Sequence, residues 1–138
     1  MACDLSKGTI MNLHDPKLKR LKVISITDNV ALMTAIGNDI GYNEIFSQQL
    51  HLAKEEDALI VITGSGNSEN VIKAVEKGNN LGMTTIGMLG FDGGKVKDML
   101  DYKIIFPENH YGRVEDFHLM LNHIITEQLF NKINSKDE

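Results

Sequence analysis

Basic stripes, long apolar runs and cysteine pairs are all missing from this 138-residue chain. Each absence removes a class of function. The formal net charge is −5, and the one basic cluster, Lys17, Lys19, Arg20 and Lys22, is short. Nucleic-acid binding needs a clustered basic face, so no nucleic-acid partner is expected. No apolar stretch approaches the roughly 18 residues that cross a bilayer, and no signal-peptide pattern is present, so no membrane partner is expected. The lone cysteine, Cys3, cannot form an internal disulfide, which fits a reducing cytoplasm. Proline occurs only twice: Pro16 breaks any continuous helix in the first 20 residues, and Pro107 closes an apolar run.

What is present suits a single domain over residues 1–138. A chain of this length buries about two-thirds of the surface it exposes when unfolded. Four short runs rich in β-branched residues read as buried strands: LKVISI (21–26), DALIVIT (57–63), MTTIGML (83–89) and YKIIFP (102–107). Helical patterns lie between them. Asp28 and Asn29 form a turn and N-cap for a helix through ALMTAI, with Gly37 as its stop. A second helix is expected over 43–53. NVIKAVEKGNN is a third, with Val71, Ile72, Ala74, Val75 and Leu81 facing inward and Gly82 just past its end. KVKDML reads as a short helix, residues 112–133 as one long helix, and NSKDE as a frayed tail. Alternating strands and helices define an α/β class with an open parallel sheet and helices on both faces.

The stretch TGSGNS (63–68) interrupts this pattern where a strand ends and a helix begins. Ligands of open parallel sheets sit at such carboxyl ends. Glycines let backbone approach a ligand, the following helix offers free N–H groups, and Thr63, Ser65, Asn67 and Ser68 add hydroxyl and amide groups. The combination suits a phosphate. No Gly-Lys-Ser/Thr follows, which excludes a nucleoside-triphosphate loop, and G-x-G-x-x-G is absent, which argues against a dinucleotide site. Serine and asparagine are also ordinary N-caps, so the loop read alone is equally a turn and a cap.

Three longer segments add to the loop: TDNVALMTAIGNDIGYNEIFSQQL, VITGSGNSENVIKAVEKGNNLGMTTIGMLGFDGGKV and RVEDFHLMLNHI. Together they resemble the sugar isomerase (SIS) family, and within it the phosphoheptose isomerase branch, over about residues 1–130. That resemblance implies a five-stranded parallel sheet of flavodoxin-like order and a homo-oligomer, a tetramer or dimer, joined through the long helices. It implies a phosphorylated sugar as partner. Thr63, Ser65, Asn67 and Ser68 would bind the phosphate, with Gly64 where the family often has threonine, and Asp28 would bind the sugar. The family's catalytic glutamate and histidine fall at Asp4 and His123. Some members hold zinc, and Glu115, at a position where the family has glutamine, and His123 are the corresponding positions here; the reading requires no cofactor. The family's first strand and its GNGGS loop precede the segment that Met1 matches. The expectation is therefore a chain that lacks its N-terminal part.

The implied reaction, aldose–ketose isomerisation of sedoheptulose 7-phosphate to a manno-heptose 7-phosphate for surface polysaccharide synthesis, moves a proton between adjacent carbons through an enediol. It needs a base for the carbon-bound proton and an acid for the carbonyl oxygen. Asp4 and His123 can divide those roles either way. A carboxylate one methylene shorter than glutamate moves by about 1.5 Å, which matters because a misplacement of about 1 Å can cost on the order of 100-fold in rate. The alternative function is a sugar-phosphate-binding regulatory or assembly protein without turnover.

Overall fold

The computed structural model describes residues 1–15, 17–18 and 20–135. The helix break at Pro16, the Lys19 member of the basic cluster and the last three residues of the tail lie outside the described residues. The chain divides into two compact units, Ile26–Asp116 and Met1–Ser25 with Phe117–Glu138.

The larger unit is built on three parallel strands, β1 (Ala58–Thr63), β2 (Thr84–Gly90) and β3 (Tyr102–Phe106), in the order β1-β2-β3. Ala58 pairs with Thr84 and Ile86 with Tyr102, and both registers run in step to the carboxyl ends. Helix α3 (Glu69–Asn80) is the crossover between β1 and β2. It buries Ala74 and Val75 in a cluster completed by Leu50, Leu59, Val61, Met83, Leu89, Val96 and Leu100. Gly78 lies where α3 approaches the sheet, since a Cβ there would meet the Leu59 side chain at 3.0 Å. The helix ends in a Schellman motif: Gly82 has φ +75°, Met83 N donates to Gly78 O (3.0 Å) and Gly82 N to Asn79 O (3.0 Å). On the other sheet face Met88 is buried, while Ile60 and Ile62 are partly open to solvent.

Helix α2 (Val30–Asp39) precedes the sheet, and Asn29 caps it by accepting from Leu32 N at 3.0 Å. It runs through Gly37, contrary to expectation. Gly41 ends it instead, with φ +140° and its N–H on Ile36 O. The helix expected over 43–53 is two 3₁₀ segments, Tyr42–Glu44 and Ser47–Leu52. A side-chain bond tightens the backbone locally: Gln49 Nε2 donates to Ile45 O (2.7 Å). KVKDML is likewise a 3₁₀ segment, Lys95–Met99.

The LKVISI strand is not formed. Residues 21–26 belong to no ladder among the described residues, and Ile24 is 85% exposed. β-Branched composition favours a strand only where a neighbouring strand completes a ladder, and among the described residues none pairs with this run.

The smaller unit contains α1 (Ala2–Lys7) and most of α4 (Tyr111–Asn134), whose first turns belong to the larger unit. Leu5, Thr9, Ile10, Leu121 and Asn122 are buried. Thr9 Oγ1 donates to Leu5 O (2.9 Å), and Asn134 Nδ2 reaches Thr9 O (3.1 Å). No helix among the described residues is long and apolar enough to cross a membrane.

Candidate functional site

The 63–68 loop stands at the carboxyl end of β1, where the strand ladder stops and α3 begins. Thr63 is buried, and its Oγ1 accepts from Gly66 N at 3.3 Å, so it shapes the loop from inside. Ser65 Oγ accepts from Asn67 N at 3.3 Å, which leaves its own proton to donate outward. Ser68 occupies the N-cap position with extended backbone (φ −67°, ψ 122°), but its side chain makes no capping bond.

That last point separates α3 from the other two long helices. Asn29 caps α2, and His110 Nδ1 accepts from Arg113 N (3.4 Å) at the start of α4. At α3 the Ser68 hydroxyl is exposed, and the N–H groups of Glu69 and Asn70 have no partner among the described residues. Uncapped N–H groups and the helix dipole favour an anion at that point.

A second turn, residues 91–95, braces the loop. Gly90 N donates to Gly64 O (2.9 Å), Val96 N to Gly66 O (3.1 Å) and Lys95 N to Asn67 Oδ1 (3.1 Å). Asn67 Nδ2 donates in turn to Ser65 O at 3.0 Å. Both ends of the Asn67 amide are therefore engaged within the protein. Gly66 (φ +64°) and Gly94 (φ +56°) face each other so closely that a Cβ on either would collide with the opposing backbone. Asp92 holds the turn through Gly94 N (3.1 Å); that bond, with Lys97 adding to it, keeps its carboxyl below the ordinary value. Phe91 is the one described non-glycine residue with positive φ, at +52°. Its ring packs against Tyr111, centroids 4.8 Å apart.

Asp4 lies on α1, in the smaller unit. Its Oδ2 accepts from Asn122 Nδ2 at 2.8 Å. That bond chiefly holds the Asp4 carboxyl below its ordinary value, against a smaller opposing effect of burial; the terminal ammonium, His123 and Lys7 add lesser pulls downward. The loop and the Asp4–Asn122 pair are thus each assembled within a unit. His123 is exposed on α4, and Asp28 is exposed in the turn before α2. Glu115 is exposed on the first turns of α4. Among the described residues no three His, Cys, Asp or Glu side chains gather as a metal site.

Sequence reasoning missed Asn122 and Tyr111. Asn122 lies 118 positions from Asp4, and nothing local to either residue marks the pairing. The signal for Tyr111 was the glycine at position 64: a side chain there would meet the Tyr111 ring at 2.9 Å.

An open parallel sheet with an uncapped crossover helix behind a Gly/Ser loop defines an α/β protein. Residues 5–90 match the SIS domain family, to which the chain belongs. It is 43% identical over 110 residues to the phosphoheptose isomerase of Helicobacter pylori (strain P12), covering 79% of this chain and 57% of that one. It is 44% identical over 110 residues to that of Clostridium acetobutylicum, covering 79% and 56%. The chain thus spans a little over half the length of these curated relatives. Among solved structures, a phosphoheptose isomerase from Francisella tularensis superposes with TM-score 0.80 at 33% identity, covering 97% of this chain and 69% of that one. The Neisseria gonorrhoeae enzyme gives 0.74 at 34% identity, covering 77% and 61%.

Proposed function

We propose that the chain binds a phosphorylated sugar and serves as a phosphoheptose isomerase, interconverting sedoheptulose 7-phosphate and a manno-heptose 7-phosphate. The observation that carries the reading is the uncapped N-terminus of α3, with the exposed Ser68 hydroxyl beside it. The phosphate takes the place of the missing cap. It accepts from the Glu69 and Asn70 N–H groups and from the Ser65 and Ser68 hydroxyls. Thr63 and Asn67 shape the loop, and Asp28 binds the sugar.

Chemistry falls to Asp4 and His123. Asp4, held ionised by Asn122, takes the proton from the carbon next to the carbonyl. His123 protonates the carbonyl oxygen, giving the enediol. Asp4 then returns the proton to the neighbouring carbon as the second hydroxyl gives its own back to His123, so both groups are restored and no outside oxidant or reductant is needed. The identities with named isomerases support this assignment. The protein acts in the cytoplasm as a homo-oligomer joined through its long helices.

Proton NMR of sedoheptulose 7-phosphate with the protein in D₂O is the test. Isomerisation gives a new heptose with solvent deuterium at the reacting carbon. Binding with neither product nor deuterium leaves a sugar-phosphate-binding protein without turnover and overturns the isomerase assignment.

A further inference from the structure

We propose that Tyr111 reads the carbon chain of the ligand whose phosphate the 63–68 loop holds. The inference rests on the phosphate reading of that loop. Three observations within the larger unit carry it. First, Tyr111 packs directly on the loop. A Cβ at Gly64 would lie 2.9 Å from both Cδ1 and Cε1 of the ring, so the absence of a side chain at 64 is what lets the ring edge settle there.

Second, the ring is backed from within the same site. Phe91 lies against it at 4.8 Å with the planes inclined by 59°. Phe91 reaches this position from left-handed backbone (φ +52°), which is uncommon for a bulky residue and persists only where the surroundings hold it. The turn that carries it is tied to the phosphate loop through Gly90 N, Lys95 N and Val96 N. The aromatic pair and the loop therefore form one braced assembly.

Third, the supported ring faces outward. Tyr111 is 57% exposed, and its hydroxyl has no hydrogen-bond partner among the described residues. An aromatic ring fixed on one edge, open on its other side and carrying an uncommitted donor matches a polyhydroxylated chain. Its C–H surface lies on the ring, and a hydroxyl meets Oη. A residue that only closed the loop would need neither the open flank nor the free hydroxyl. The ligand class is a phosphate monoester of a polyol chain, and the ring sets the preference for that chain over bare phosphate.

The test is calorimetric titration of the full chain with sedoheptulose 7-phosphate and, separately, with inorganic phosphate. Three proteins are compared: the natural chain, Tyr111→Phe and Tyr111→Leu. The natural chain is expected to bind the sugar phosphate more tightly than phosphate. Tyr111→Leu should remove about 10-fold of that margin and Tyr111→Phe about 3-fold, with inorganic phosphate affinity unchanged within about 2-fold. Tyr111→Phe keeps the ring on Gly64 and guards against a general loss of the fold. An unchanged margin in Tyr111→Leu overturns the proposal. So does an equal loss for both ligands, which would make the ring a brace for the loop. If the natural chain binds neither ligand, the phosphate reading itself fails and the proposal falls with it.

Discussion

Asn122 donates its amide to Asp4 across 2.8 Å, joining α4 to α1 through two residues 118 positions apart. Asn122 is buried, and its Oδ1 has no hydrogen-bond partner among the described residues. The amide is thus committed to the carboxylate on one side only, and that bond chiefly lowers the Asp4 carboxyl below its ordinary value.

Replacing Asn122 with leucine removes that donor. The Asp4 pKa should rise toward its ordinary value of 3.8. Under the proposed isomerase function the acid limb of the kcat/KM profile should then move to higher pH, with kcat falling roughly 10- to 100-fold as the carboxylate loses its orientation. The linkage has a definite sign. A carboxyl lowered in the folded state stabilises the fold above its unfolded pKa, and this is lost as pH falls through the lowered value. Urea midpoints for the natural chain and Asn122→Leu should therefore converge in acid as far as this carboxylate is concerned. An acid limb that stays in place would remove Asn122 from the role of positioning Asp4.

Ser68 and Asn29 hold equivalent places at the starts of two helices, but only Asn29 caps. Asn29→Ala should cost about 1 kcal/mol of stability and leave phosphate binding alone. Ser68→Ala should leave stability within about 0.5 kcal/mol, since surface changes that break no contact are nearly neutral. It should weaken inorganic phosphate binding about 5-fold, the loss of one hydrogen bond to a charged group being on the order of 1 kcal/mol or more. Thermal unfolding and calorimetry on the same two variants check both halves. Equal stability losses would mean that Ser68 is a cap after all.

Glu44 and Lys73 form a 2.5 Å ion pair from the first 3₁₀ segment to α3, and Ser47 donates its hydroxyl to the other carboxylate oxygen. The Lys73 bond is the main cause of the lowered Glu44 pKa, and Glu44 in turn raises Lys73. The carboxylate contribution is present above the ordinary 4.5 and disappears as pH falls through the lowered value. The ammonium contribution is full below the ordinary 10.5 and disappears as pH rises through the raised value. Glu44→Gln should lower the urea midpoint on the plateau between these limits and change it less at either extreme. A difference that is constant from pH 3 to 11 would show that the pair contributes nothing through its charges.

The strands β1, β2 and β3 were legible because each is an apolar run bounded by turn residues, and each has a neighbour in the sheet. LKVISI has the same composition and joins no sheet among the described residues, and composition cannot report a missing strand partner. Gly82 was legible as a helix end because the Schellman geometry needs positive φ just where the pattern stops. Gly37 looked like the same signal, but Gly41 supplies the positive φ four residues on. In the loop, the strand-to-helix junction was legible and the bonds within it were not. Thr63 and Asn67 have the same polar chemistry as Ser65 and Ser68, and only the bonds they make show that Thr63 is tied to Gly66 from inside and Asn67 to Ser65 and Lys95.

The brace between the loop and the 91–95 turn gives the last prediction. Asn67 joins Ser65 O to Lys95 N, and Gly66 and Gly94 meet where neither tolerates a side chain. In Gly66→Ala the new methyl would adopt a strained positive φ and collide with the Gly93 carbonyl, so the turn must move away. The expected cost is on the order of 1–3 kcal/mol, with phosphate binding lost as well. Asn67→Ala removes two ordinary hydrogen bonds and should cost about 1–2 kcal/mol. Asn67→Asp keeps the acceptor for Lys95 N and loses the donor to Ser65 O, so it should fall between the natural chain and Asn67→Ala. Amide hydrogen exchange separates bracing from direct contact with phosphate. If Asn67 is a brace, Lys95 N–H exchanges faster in Asn67→Ala without any ligand and stays protected in Asn67→Asp. If Asn67 instead binds phosphate directly, exchange at Lys95 is unchanged in the free protein and only the affinity falls.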